Sequence, residues 1–217
     1  MFPKVILHNS TTLDGAYKDF DVNMGLHYSI AEKFKPDVHF IGSDTLAVGA
    51  KEYGGKISEE TVDDFLKPEK SESLPLWVIP DTTGKCKGIL HMFRQFEFCR
   101  DVVILTSRAT PKKYINYLDD REYDNHQVGS KKVNLTHALE LLNEEYGTET
   151  VLLDTGPTLG NLFLQQKLVS QVSLLVHPVI SNQQGEKLLA PEKQVNLTIS
   201  KIEKLKKKYI WLLYDVK

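Results

Sequence analysis

The sequence predicts a mostly parallel, doubly wound α/β sheet with antiparallel strands at its C-terminal end. Three observations carry that prediction. Short β-rich runs alternate with segments of helical period along most of the chain. Several runs end in glycine- or hydroxyl-rich turns that lead into a helix. The chain closes on two β-like segments with only a charged turn between them, which suits an antiparallel pair.

Residues 4–8 (KVILH) form the first strand, and the hydroxyl-rich residues 9–15 read as the turn after it. In residues 23–34 the apolar positions Met24, Leu26, Ile30, Ala31 and Phe34 have roughly helical spacing, and Pro36 stops the helix. Residues 38–41 are a second strand. Residues 45–50 are a short helix with Ser43 and Asp44 as cap candidates. Residues 51–74 are the most polar stretch and read as an insertion, with a short capped surface helix over 58–66. Residues 75–80 and 102–105 are strands, the first followed by a turn over 81–84. Residues 111–118 start a helix with proline in its first turn. Residues 133–146 form an amphipathic helix ending at Gly147. Residues 150–153 and 172–176 are strands, with a helix entered directly through Gly156-Pro157-Thr158 between them. Residues 195–202 and 209–216 pair as a hairpin, and the basic run from Lys204 to Lys208 is its solvated turn.

A chain of 217 residues suits one domain, 1–217, with the polar insertion at about 51–74. Hydrophobic residues at 41% and charged ones at 26% are the profile of a soluble globular chain. A net charge of −2 gives no broad attraction to nucleic acid or to an anionic membrane. No apolar stretch approaches the ~18 residues of a membrane span. MFPKVILHNS reads as a strand rather than a signal peptide, so a cytoplasmic protein is expected. Cys86 and Cys99 form no CxxC and are expected as free thiols, with a disulfide left open.

In such a sheet, ligands bind beyond the carboxyl ends of the strands. The polar residues that follow each strand are Asn9, Ser10, Thr11 and Asp14; Gly42, Ser43, Asp44 and Thr45; Asp81, Thr82 and Thr83; Thr106, Ser107 and Arg108; and Asp154, Thr155, Gly156, Pro157 and Thr158. Hydroxyls and backbone N–H groups suit phosphate oxygens and a ribose, while carboxylates suit ribose hydroxyls or proton transfer. Helix N-termini after Gly42 and Gly156 favour anions. A dinucleotide with a pyrophosphate and a further 2′-phosphate would use two such seats. Arg108 meets the 2′-phosphate or is an ordinary surface arginine, and both readings stand. Residues 156–160 read GPTLG, which is neither GxGxxG nor GxxxxGK[ST], so a structural turn is an equal reading. His8, His27, His91, His126, His137 and His177 are scattered without HExxH or HxH, so no metal is expected. GxSxG is absent. Tyr28, Phe34, Phe40, Trp77 and Phe163 read as core.

Several of these segments together resemble the riboflavin-biosynthesis reductase domain, the RibD C-terminal family. Thr11-Thr-Leu-Asp-Gly15 resembles its S-L-D-G opening, and Gly42-Ser-Asp-Thr-Leu46 its G-[ST]-x-T-[VL] segment. Pro75-Leu-Trp-Val-Ile-Pro-Asp81 resembles P-x-R-V-V-x-D. Asp154-Thr-Gly-Pro-Thr-Leu159 with the segments 160–168 and 172–178 resembles E-x-G-P-T-L…L…L-V-D-E-…P and is the most specific match. Spacing and order agree over nearly the whole chain.

The resemblance implies a dihydrofolate-reductase-like fold. It implies NADPH-dependent reduction of a phosphoribosylamino-pyrimidine by direct hydride transfer, in a homodimer formed through the C-terminal strands. It places Ser10, Thr45, Gly49, Thr82 and residues 156–162, Gly156, Pro157, Thr158, Leu159 and Gly160 among them, at cofactor-contacting positions; Ser107 and Arg108 join them from the rim. Asp154 falls where a family glutamate touches substrate. Asp14 sits beside the reacting end, to orient substrate or relay a proton, and Lys33 or Lys35 replaces a substrate-binding arginine. The chain departs from the family's pattern on the substrate side: Leu46-Ala-Val-Gly-Ala50 replaces V-L-x-D-D-P, the loop from Gly15 to Met24 is shorter, and the glutamate is Asp154. A reductase of the same fold acting on a pterin, and a catalytically silent nucleotide-binding dimer, are the alternatives.

Overall fold

A computed structural model describes residues 2–52, 59–181 and 187–217, leaving out the side chain of Glu52. Its elements are β1 (Lys4–Thr12), α1 (Met24–Ala31), β2 (Val38–Phe40), α2 (Ser43–Glu52), β3 (Leu76–Pro80), α3 (Leu90–Arg94), β4 (Val102–Thr106), α4 (Lys112–Asp119), β5 (Asp124–Gln127), α5 (Leu135–Tyr146), β6 (Thr150–Leu153), α6 (Pro157–Gln165), β7 (Gln171–His177), β8 (Leu197–Leu205) and β9 (Tyr209–Val216), with 3-10 turns at Glu32–Phe34 and Val62–Phe65. Contacts divide the chain into two compact units: Met1–Pro3 with Asp37–Glu149, and Lys4–Pro36 with Thr150–Lys217. The named strands are mostly parallel, and the antiparallel pairs are β7–β9 and β8–β9. This is the class the sequence predicts.

In the first unit the strand order is β5-β4-β3-β2, all parallel. β3 and β4 read LWVIP and VVILT and are buried nearly throughout, as central parallel strands covered on both faces must be. Their core joins Trp77, Ile79, Val102 and Ile104 to Leu90, Phe93, Tyr114 and Leu118. Parallel neighbours need a crossover. α3 lies in the crossover from β3 to β4, and α4 in that from β4 to β5. The sequence reading placed neither α3 nor β5. Five residues are too few to show a helical period, and DNHQ in β5 carries no β-rich side chain. α5 is as read, with the Asn134 side chain accepting from His137 N–H at 3.1 Å and Gly147 closing the helix at φ 63°.

Two details of this unit correct the sequence reading. Pro111 is the residue before α4 rather than its first turn. Ser43 and Asp44 lie inside α2, whose first intrahelical bond runs from Leu46 N–H to Gly42 C=O. Within the polar stretch, residues 53–58 are outside the described residues. Within residues 58–66, read as a short capped surface helix, Thr61 and Asp64 form a reciprocal capping box around a 3-10 turn. The stretch is tied down on its C-terminal side: Lys70 donates to the carbonyls of Arg94, Phe96 and Cys99.

In the second unit the order is β6-β1-β7-β9-β8. β1 continues four residues past the predicted end, so Asn9 to Thr12 are strand, not turn. The reason is the ladder to β7, which runs in register from Ile6↔Gln171 to Thr12↔His177. The turn follows at Leu13–Gly15, where Gly15 has φ 88°. α1 is capped by Asn23 and gives way to the 3-10 turn that ends before Pro36. α6 has Gly156 as its N-cap and Pro157 at its first position. Gly160 faces β1, where a Cβ would come within 3.3 Å of Leu7 Cδ1. The hairpin β8–β9 forms as predicted, turning at Lys206 and Lys207 with φ 43° and 63°, the left-handed pair that matches strand twist.

Candidate active site

The second unit gathers a buried polar network where β1, α1 and β6 meet. Side chains alternate along a strand, so His8, Ser10 and Thr12 share one face of β1 while Asn9 and Thr11 share the other. His8 is directly opposite Ser173 of β7. α1 lies on that face and sets His27 against His8, with ring centroids 4.4 Å apart.

The partners fix the protons. Trp211 can only donate, and its Nε1 lies 2.9 Å from Ser173 Oγ. Ser173 Oγ lies 2.9 Å from His8 Nδ1, and His8 Nε2 lies 3.1 Å from the carbonyl of His27, which can only accept. His8 is therefore the neutral Nε2–H tautomer, with Trp211 donating to Ser173 and Ser173 to His8. Full burial, and then the neighbouring His27, push its pKa down to about 3.

His27 has a different pair of partners. Its Nε2 is 3.2 Å from Asp154 Oδ2, so it donates there. Its Nδ1 is 3.0 Å from the hydroxyl of Ser10. Asp154, immediately after β6, keeps 20% of its side chain exposed, against 6% for His27. On the opposite face of β1, Asn9 Nδ2 donates to Thr155 C=O at 2.9 Å, and Asn9 Oδ1 is buried with no hydrogen-bond partner among the described residues. A buried amide oxygen left so costs about 1–3 kcal/mol. α6 starts beside it, with no acidic residue in its first turn.

The structure thus brings Ser10 and Asp154 together through His27, and runs directly from Asp154 into Gly156, Pro157, Thr158 and Leu159. Asp14 is exposed and held by the Ser181 N–H at 2.9 Å and the Thr12 hydroxyl at 2.7 Å, which lower its pKa in that order. Lys33 lays its ammonium over the Trp211 ring, 4.8 Å from the centroid.

The remaining candidates belong to the first unit. Thr45 is in the first turn of α2, and at Gly49 a Cβ would meet nothing within 4 Å. Thr82 sits in a turn built by Asp81, whose carboxylate accepts the N–H groups of Thr83, Gly84, Lys85 and Cys86. Ser107 is buried and donates to Lys131 C=O. Arg108 is exposed at a cleft of about 470 Å³ that Ser130, Asn134 and His137 also line. Among the described residues no group of three or more His, Cys, Asp or Glu could hold a metal ion, and no helix is long and apolar enough to cross a membrane.

His8 and His27 were read only as scattered histidines, and Ser173 and Trp211 were not singled out at all. The signal available was His8-x-Ser10, two polar side chains on one strand face, hidden when β1 was ended at residue 8.

The family model of the RibD C-terminal domain matches residues 3–211. No curated protein matches the chain in sequence. Among solved structures, Acinetobacter baumannii RibD superposes with a TM-score of 0.72 at 18% identity, covering 100% of this chain and 58% of that one. A pyrimidine reductase-like protein from Corynebacterium diphtheriae gives 0.73 at 13% identity, covering 99% and 92%. The riboflavin biosynthesis reductase Rib7 of Saccharomyces cerevisiae gives 0.69 at 16%, covering 100% and 90%. These identities speak to the fold, and the chain spans little more than half the length of the Acinetobacter protein.

Proposed function

Given that the chain belongs to the RibD C-terminal domain family, we propose that it is an NADPH-dependent reductase of a phosphoribosylamino-pyrimidine or a close relative of that substrate. The observation that carries this reading is the buried Asn9 Oδ1, without a hydrogen-bond partner among the described residues and fixed beside Thr155 and the start of α6. An amide-bearing ligand offers the donor it lacks, and nicotinamide is such a ligand. Thr158 and Leu159, in the first turn of α6, then supply backbone N–H groups to the diphosphate at the α6 N-terminus. Taken by itself, the first unit has at Arg108, Ser130 and His137 a charge and donors suited to a phosphate.

When bound, the cofactor supplies a hydride. The chain orients the substrate and passes a proton through the Asp154 carboxyl, a group both partly exposed and backed by an imidazole. Thr45, Gly49, Thr82 and Ser107 keep the cofactor assignments the family resemblance gives them, and Asp14 and Lys33 the substrate-side ones. Homodimerisation is part of the same reading: β8 is an edge strand with Leu197, Ile199 and Ile202 exposed.

The test is NADPH oxidation followed at 340 nm with the phosphoribosylamino-pyrimidine and, separately, with dihydropterin. Turnover of the first supports the reading; turnover of only the second reassigns the substrate; NADPH binding without turnover of either favours a silent binding protein. Gly156→Val adds a directed check. Gly156 has φ −68°, which any residue adopts, so valine brings no backbone strain there. Losing one or two charge-assisted contacts to the diphosphate should weaken NADPH about ten- to hundredfold. Unchanged affinity in a calorimetric titration would remove the diphosphate from α6.

A further inference from the structure

We propose that His27 is the proton reservoir of the site, feeding Asp154, and that the Ser10 hydroxyl partners its ring in both protonation states. The inference rests on the reductase reading and concerns residues that reading leaves without a role.

The two stacked imidazoles are built to opposite specifications. Every partner of His8 is committed: a backbone carbonyl takes its Nε2–H, and Ser173, already accepting from Trp211, donates to Nδ1. A second proton on His8 would turn the Ser173 hydroxyl away from its acceptor, inside a fully buried site. His27 meets no such obstacle. Asp154 accepts from Nε2–H whether the ring is neutral or charged. A hydroxyl both donates and accepts, so Ser10 donates to Nδ1 of the neutral ring and accepts from Nδ1–H of the imidazolium without moving its oxygen. The ring gains or loses a proton with no buried group left unpaired. Among the described residues, the titratable groups facing it are Asp154 after β6, His8 on β1, His177 on β7 and the adjacent Tyr28 of α1.

Reduction of a ribosylamine at its anomeric carbon consumes one proton. The carbon gains a C–H bond from the hydride and its two electrons, the bond from that carbon to the ring oxygen breaks, and the oxygen leaves with the bonding pair and needs a proton to become a hydroxyl. Asp154 hands that proton on as it receives the Nε2 proton of the His27 imidazolium; the ring is left as its Nδ1–H tautomer, with the Ser10 hydroxyl accepting, and Nε2 is recharged from solvent through the partly exposed Asp154. His27 acts through Asp154 and is a positioning residue; Asp154 is the group that meets the substrate.

The test has two arms. In the ligand-free chain, nitrogen-resolved NMR of the imidazoles follows protonation as pH falls. His27 should acquire a second N–H while His8 remains the Nε2–H tautomer. A proton taken up by His8 first, or a His27 ring that never charges while the fold persists, overturns the proposal whatever the chain's substrate is. In turnover, His27→Gln should lower kcat about 10²-fold, with the KM for NADPH within about twofold of the parent. It should also abolish the fall of kcat with rising pH. Ser10→Ala should move the midpoint of that fall, and Ser10→Thr, which keeps the hydroxyl, should restore it. If the parent turns over and His27→Gln keeps the parent's pH profile and solvent isotope effect, the relay is wrong and the reductase reading stands. If the parent reduces nothing but the NMR order holds, the reductase reading fails alone.

Discussion

Asp81 and Asp154 occupy equivalent places, each the first carboxylate after a buried parallel strand, one in each unit. Their surroundings differ in kind. Asp81 is 1% exposed, and its oxygens accept four successive backbone N–H groups. Asp154 keeps a fifth of its side chain exposed and is backed by the His27 imidazole. The first carboxylate is used up in holding a turn; the second retains chemistry. Position at a sheet edge nominates a residue, and its partners decide whether it can act.

The largest effect that would break this contrast is on stability. Asp81→Ala leaves four turn amides without their acceptor and should cost about 3 kcal/mol, seen as a fall in Tm of about 6–12 °C. A melting point within 1 °C of the parent would show that the turn holds itself. Asp154→Asn should do the reverse: turnover falls about 10²-fold while stability moves by less than about 1 kcal/mol and NADPH affinity is kept. Equal losses of turnover and cofactor binding would place Asp154 on the cofactor side.

The third effect is smaller per step and tests the closed partner set of His8. Its folded-state pKa is depressed from 6.5 to about 3, so the unfolded chain binds the extra proton first. The contribution of His8 is intact above pH 6.5 and is lost as pH falls toward 3, at up to about 1.4 kcal/mol per pH unit. Urea denaturation between pH 7 and pH 4 checks it, comparing the parent with His8→Gln so that other titrating groups cancel. A parallel pair of stability curves would mean that the His8 site accepts a charge.

How much of this was legible depended on the range of the interactions. β3, β4 and α5 write their fold locally, as continuous apolar runs and as a 3.6-residue period between Asn134 and Gly147. β5 is a strand only because β4 lies beside it, and the last four residues of β1 only because β7 does. The hydroxyl- and glycine-rich rim was visible for the same local reason, which nominated Ser10, Asp154 and Gly156. The network behind them was not. His8, His27, Ser173 and Trp211 are far apart in sequence and meet through strand register and helix packing. Asn9 was noted among the rim residues, but its unpaired oxygen emerges only once Thr155 is seen to occupy the other end of its amide.

The chain has two tryptophans, and the units share them out. Trp77 is buried in the core of the first, and Trp211 hydrogen-bonds Ser173 in the second. Each unit therefore carries its own intrinsic fluorophore. Removing either indole leaves tryptophan emission that reports on one half of the molecule alone, so a denaturant series on the two single-tryptophan variants, excited where tyrosine does not absorb, would show whether the halves melt together.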